Sequence, residues 1–122
     1  MSYLISQIDF ADKFCDLIRE HAEWSQATFG ADDVRGPIGP LKHLEKEARE
    51  AQVAAVIADP IDRYTKLREE LADCFLLILD AARRFKVKPT QLVEAAQAKL
   101  TVNKMREWPS QPVADEAIEH IR

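Results

Sequence analysis

The chain is predicted to be all-α, a four-helix bundle completed by oligomerisation, on three observations. Its 122 residues hold only three glycines and six prolines, while Ala, Leu, Glu, Lys and Arg dominate, a composition that favours helices over strands and turns. Apolar residues recur at steps of three and four along four successive segments. The third of these turns apolar nearly all round, and a helix of that kind needs neighbours on every side, in its own chain or another. With 47% hydrophobic residues the chain is one domain, large enough to bury an ordinary core without staples.

The first segment runs from about Gln7 to Thr28, where Phe10, Phe14, Leu17, His21 and Trp24 share one helical face. Asp9 and Asp12 suit its first turn, and Gly30 can end it. Gly30 to Gly39 contains all the glycines, has no period and reads as the one real loop. Pro40 fits the first turn of a second helix, whose face Leu41, Leu44, Ala48, Ala51, Ala55 continues to about Ala58. Asp59-Pro60 then stops one helix and starts the next, since Pro cannot continue the ladder and Asp caps well. The third helix, to about Phe85, is amphipathic through Ile61, Tyr64, Leu67 and Leu71 and becomes apolar over Cys74 to Leu79. Pro89 opens a fourth, closed by Trp108-Pro109. These elements define a domain over 1–109; the remainder, 110–122, reads as a short docking helix or a mobile arm anchored by Ile118 and Ile121.

Charge and cysteine usage narrow the function. A formal net charge of −4 supplies no field to draw the protein onto duplex nucleic acid. Cys15 and Cys74 lie in helical patterns without CxxC or Cys/His spacing, so they read as reduced core residues. No basic segment followed by an apolar stretch opens the chain, and no apolar run approaches a membrane span. The expected location is cytoplasmic, the host cytoplasm if the gene is carried by a phage.

Acidic pairs carry the chemistry. Glu47 and Glu50 are three apart on the second helix, and Glu70 and Asp73 repeat that spacing on the third, so each pair projects from adjacent turns of one face. Asp73 falls where its helix becomes apolar, and a buried carboxylate needs a cation. Asp80 has Arg83 and Arg84 at i+3 and i+4, which marks a structural ion pair. Two antiparallel helices joined by a short turn would bring the four carboxylates together as a hard-oxygen nest for Mg²⁺ or Mn²⁺; a solvated charged face is the competing reading. A carboxylate-bridged di-iron site requires Glu-x-x-His, and none of the three histidines follows an acid at that spacing.

Several motifs now stand in one order: Trp24, Phe29-Gly30, Gly39-Pro40-Leu41-Lys42-His43-Leu44, Lys46-Glu47-x-x-Glu50, Glu70-x-x-Asp73, then Lys99-Leu100-x-x-Asn103-Lys104-x-Arg106-x-Trp108-Pro109. Over about residues 10 to 109 this order resembles the MazG-like all-α NTP pyrophosphohydrolases, and more narrowly their short branch of dATP/dGTP diphosphohydrolases. Lys46 departs from the pattern, standing where many members carry a further glutamate. The resemblance implies divalent metals, Mg²⁺ or Mn²⁺, held by Glu47, Glu50, Glu70 and Asp73. It also implies cleavage of a purine dNTP, dGTP favoured and dATP possible, to the monophosphate and pyrophosphate, by a dimer or tetramer of identical chains. Glu50 is the expected base for the attacking water.

Lys99, Asn103 and Arg106 share one face of the fourth helix, with Lys104 beside them. Alone they read as a solvated face; opposite four carboxylates they become candidates for the β- and γ-phosphates. Trp24 and Phe29 suit a stacking slot for a base, against core packing as the plain alternative. Two other functions stay open at this level: a pyrophosphohydrolase of another or damaged nucleotide, and a noncatalytic helical module that binds a partner through its apolar third helix.

Overall fold

The computed structural model describes residues 3–122, with side chains from residue 7 onward. Its elements are all helical: α1 (Tyr3–Phe29), α2 (Asp32–Arg35), α3 (Ile38–Ala54), α4 (Pro60–Arg84) and α5 (Pro89–Met105). No described helix is long and apolar enough to cross a membrane. By their internal packing, Met1–Lys88 and Pro89–Arg122 form two compact units.

In the first unit α3 and α4 make the dominant pair, while α1 and α2 rest more lightly on α4. The junction between α3 and α4 follows from local chemistry. After Ala54 the chain tightens, with Val56 N bonding Val53 O at 3.3 Å and Ile57 N bonding Ala54 O at 3.2 Å. α3 therefore stops about a turn before the expected Ala58. Asp59 then caps α4, its carboxylate accepting from Asp62 N at 2.8 Å, with Pro60 at the first helical position. This short reversal folds α3 and α4 back against each other, which is what brings their acidic faces together.

The loop from Gly30 to Gly39 is more structured than its composition suggests. Asp32–Arg35 forms one helical turn with acidic residues at its start and Arg35 at its end, the favourable sense for the helix dipole. Gly30, at φ +110°, ends α1 as expected. α1 itself starts at Tyr3, so Asp9 and Asp12 lie beyond its first turn, and Asp9 pairs with Lys13 at 3.2 Å. α4 closes in a left-handed turn at Lys86 (φ 64°), where Lys86 N bonds Arg83 O and Val87 N bonds Ala82 O.

The core of the single chain is thin. Among the described residues the buried hydrophobic side chains are Ala51, Ala54, Leu79 and Ala81, whereas Leu71, Phe75 and Ile78 on the apolar stretch of α4 stay open. Both cysteines are free, and Cys15 is exposed rather than in the core. Phe10 stacks on Phe14 at 5.9 Å, and Phe14 meets Phe75 at 6.1 Å, so that face of α1 does lie along α4.

In the second unit, α5 gives way after Met105 to an irregular segment without a helix. The segment doubles back on itself: Ile121 N bonds Glu107 O at 2.8 Å and His120 meets Trp108 edge-on at 6.0 Å. Ile118 and Ile121 remain about half exposed.

Candidate active site

The two acidic pairs meet across the α3/α4 groove. Glu47, Glu70 and Asp73 each offer one carboxylate oxygen, all within 4.8 Å of one another. Ligands roughly 2.0–2.6 Å from a shared hard cation span about that distance. Glu50 completes the group, close enough to bond Glu47 and to press its charge on Glu70. Its carboxylate lies 3.6 Å from Lys46, one turn back on α3.

Burial falls differently from expectation. Asp73 is exposed at the rim of the groove, while Glu47, at 8% exposure, is the buried member. The apolar run that surrounds Asp73 in sequence faces other directions around α4, and part of it is itself open in the single chain. Glu47 Oε2 and Glu70 Oε2 are both shielded from solvent and lack any hydrogen-bond partner. Buried carboxylate oxygens are ordinarily satisfied, so this pair is short of a positive partner.

The electrostatics agree. Burial, the side-chain interaction with Glu47, and the charges of Glu50, Glu47 and Asp73 together push the Glu70 carboxyl above its usual range. Burial also opposes charge on Glu47, but bonding from Glu50, Glu70 and His43 outweighs it and holds that carboxyl low. His43 Nε2 lies 2.9 Å from Glu47 Oε1 and donates to it from one turn earlier on α3. Glu70 is thus the acid whose negative charge its surroundings oppose. A hard divalent ion fits this all-oxygen donor set and the two orphaned atoms.

Two turns along α4 from Asp73 the chain builds a second acidic centre with the opposite character. Ser25 Oγ, fully buried on α1, donates to Asp80 Oδ1 at 2.6 Å. Arg84 Nε bonds Asp80 Oδ2 at 3.2 Å, and Arg83 bonds Oδ1. Arg84 also reaches Ser25 Oγ at 2.9 Å and Gly30 O at 2.8 Å, while Arg83 Nε holds both oxygens of Asp32 at 3.1 Å. The Asp80–Arg83–Arg84 pairing was legible at i+3 and i+4; Ser25 was not, because it lies 55 residues away. This cluster ties the end of α1, the following loop and α2 to α4.

It thereby sets the wall of a cavity of about 180 Å³ that opens beside the carboxylates, lined among others by His21, Trp24, Phe29, His43, Glu47 and Asp73. Trp24 and Phe29 do come together, but at 88° and 5.3 Å, an edge-to-face corner rather than a parallel slot. His21 lies nearly parallel to Trp24 at 6.4 Å, and Arg35 covers one face of Phe29 at 5.7 Å. Burial holds the His21 imidazole below its ordinary value, with the Asp80 charge opposing and those of Arg83 and Arg84 adding. A second cavity, of about 400 Å³, opens at the other end of the groove, with Glu50 and Glu70 in its wall.

Lys99, Asn103, Lys104 and Arg106 belong to the second unit. There Arg106 Nη1 bonds Asn103 Oδ1 at 3.1 Å, and Trp108 Nε1 bonds Asn103 O at 2.7 Å. Lys99 and Lys104 are exposed.

Comparison with known proteins gives a family for this arrangement. The model of the dATP/dGTP pyrophosphohydrolase family matches residues 17–122. The chain is also 47% identical over 104 residues to the Eaa protein of Salmonella phage P22, an alignment that covers 85% of the chain but 28% of that relative's length. No solved structure matches the chain. On the extent of the family match, which takes in the carboxylate groove, the aromatic corner and α5, the chain belongs to the dATP/dGTP pyrophosphohydrolase family.

Proposed function

We propose that the chain is a metal-dependent pyrophosphohydrolase that converts a purine dNTP, dGTP ahead of dATP, to the dNMP and pyrophosphate. The observation that carries this reading is the pair of buried, partnerless oxygens on Glu47 and Glu70 within an all-carboxylate cluster, in a chain of this family. The preference for dGTP rests on the resemblance to the short branch alone.

Glu47, Glu50, Glu70 and Asp73 would hold Mg²⁺ or Mn²⁺. Such an ion, once bound, neutralises the triphosphate and acidifies a neighbouring water. Glu50 is the proposed base: it lies outside the tightest three-oxygen set, with Lys46 3.6 Å from its carboxylate. The water's oxygen bonds to the α-phosphorus and its proton passes to Glu50. The bond from the α-phosphorus to the bridging oxygen breaks, and the electron pair leaves with pyrophosphate. Glu47, steadied by His43, keeps its charge through the step. Trp24 offers a face for the base, with Phe29 as an edge. Lys99, Asn103, Lys104 and Arg106 are proposed substrate-binding residues.

The domain carrying this activity is taken as 1–109, with 110–122 as an appendage. The open apolar face of Leu71, Phe75 and Ile78 supports association of identical chains as a dimer or tetramer. No duplex nucleic acid or membrane enters the scheme, and the proposed setting is the cytoplasm, of the host where the gene is phage-borne.

A product assay over the four dNTPs and GTP with Mg²⁺ or Mn²⁺, resolving pyrophosphate from orthophosphate, tests the reading. Monophosphate plus pyrophosphate from dGTP is expected, with Glu47→Ala and Asp73→Ala losing turnover at near-normal helix content. Orthophosphate release, or full activity in both variants, would sink it.

A further inference from the structure

The α3/α4 groove holds two cavities with the four carboxylates between them, and their linings divide the chemistry of a nucleotide. Because the helices run antiparallel, the first cavity takes the early part of α3 (His43, Glu47) and the later part of α4 (Asp73 to Asp80). The second takes the later part of α3 (Arg49 to Ala54) and the early part of α4 (Asp62 to Glu70). The first has two aromatic rings and two histidines but no lysine or arginine in its wall. The second has Arg49 and Lys66 and no aromatic ring. A base is held by ring faces, a polyphosphate by cations.

Resting on the proposed reading of the carboxylates, we infer that the second cavity is the seat of the leaving pyrophosphate, with Arg49 and Lys66 as its cationic contacts. The nucleotide then lies along the groove with its base at Trp24, its α-phosphorus over the carboxylates, and its β- and γ-phosphates toward the α3–α4 turn.

Three features fit a phosphate end. Arg49 and Lys66 project from facing helices, so their charges approach an anion from two sides. Each is engaged only weakly at present: Arg49 bonds Glu45 at 2.7 Å and Lys66 lies 4.0 Å from Glu69, in pairs where every side chain is more than half exposed. Exposed pairs of that kind contribute little, so exchange of Glu45 or Glu69 for a phosphate oxygen is cheap. Val53, Ala54 and Ile57 line the same cavity and lower the local dielectric, which strengthens attraction to a bound anion. Asp62 in the wall, with Glu50 and Glu70, repels a bare polyphosphate. The seat is therefore selective for pyrophosphate that arrives with its divalent cation.

The test is calorimetric titration of the full chain with inorganic pyrophosphate in Mn²⁺, and separately with dGMP, for wild type, the Arg49→Gln/Lys66→Gln double variant, and Lys99→Ala. Both substitutions lie on exposed helical surface and keep good helix formers, so folding is retained. The double variant should bind pyrophosphate about tenfold more weakly and dGMP unchanged, and product inhibition by pyrophosphate should fall in parallel. Unchanged pyrophosphate affinity, an equal loss for dGMP, or a loss confined to Lys99→Ala would overturn the assignment. So would a wild-type chain that turns over dGTP yet binds no pyrophosphate. Absence of turnover on any dNTP by the metal-supplied wild type is instead the failure of the underlying reading.

Discussion

Asp80 and Glu47 are both buried acids, and Asp80 lies nearly three helical turns along α4 from Glu47's neighbour Glu70, yet the two centres are finished in opposite ways. Around Asp80 both oxygens are taken, by Ser25, Arg83 and Arg84, and the arginines go on to bond backbone and a second aspartate. Around Glu47 and Glu70 two buried oxygens have no hydrogen-bond partner, and burial with the neighbouring acids pushes the Glu70 carboxyl above its usual range. Burial of an acid is therefore a poor marker of function by itself. The informative quantity is the shortfall of positive partners, which marks where the fold leaves work for a ligand.

The largest way to break the contrast is to remove Asp80. Asp80→Ala leaves the buried Arg84 side chain without its main counter-charge, and stability should fall by about 3–5 kcal/mol in urea denaturation. Asp80→Asn should cost less, and it also tests the sign of the acid response. Burial raises the Asp80 pKa, but the Ser25 bond and the two arginines outweigh it and hold the folded value below the ordinary 3.8. The resulting stability is full above pH 3.8 and lost as pH falls through the lower folded value. The Asn variant should lack that part of the acid limb; an unaltered limb would show that the cluster stores no charge-dependent stability.

A metal sharpens the other side. At about a hundredfold excess over its dissociation constant, Mn²⁺ should raise the unfolding free energy of wild type by about 2.7 kcal/mol. Glu70→Gln should abolish that gain while leaving the metal-free protein as stable as wild type or more so, since burial and the neighbouring acids oppose charge on Glu70. Equal stabilisation of Asp80→Asn and wild type by Mn²⁺ would complete the dissociation of the two centres.

The smallest effect lies at the end of α4, just past the arginine cluster. Lys86 sits at φ 64°, a conformation that suits glycine. Lys86→Gly should stabilise the chain by about 1 kcal/mol without altering turnover, read from denaturation midpoints and initial rates.

What was legible in the sequence divides along the same line. Asp59-Pro60 announced the α3–α4 reversal because a cap and a proline act within one turn, and the two acidic pairs followed from helical spacing. Arg83 and Arg84 announced Asp80's partners for the same reason. Ser25 did not, since a small residue 55 positions away carries no periodic signal. Asp73 was expected to be buried on the strength of its sequence neighbours, but neighbours in sequence point round all sides of a helix, and the buried acid is Glu47. The sequence pairs Trp24 with Phe29 but carries no sign of their perpendicular geometry, because ring orientation depends on how the loop after Gly30 is tied down. His43 stands four residues before Glu47, a spacing that places the two on one helical face, and the structure supplies their bond.

The Arg84 guanidinium reaches Asp80 on its own helix, the hydroxyl and carbonyl of Ser25, the carbonyls of Gly30 and Ala31, and Asp32 on α2. A rivet of this sort restricts how the chain can drift over evolutionary time. Any single replacement at 25, 80 or 84 strands a charge or a hydroxyl, whereas an apolar set of matching volume at all three would not. Positions 25, 80 and 84 should thus change together across the family or not at all, and the pairs should show strong non-additivity in double-mutant cycles. By contrast Arg49, whose ion-pair partner Glu45 is exposed, is free to vary alone unless a substrate restrains it.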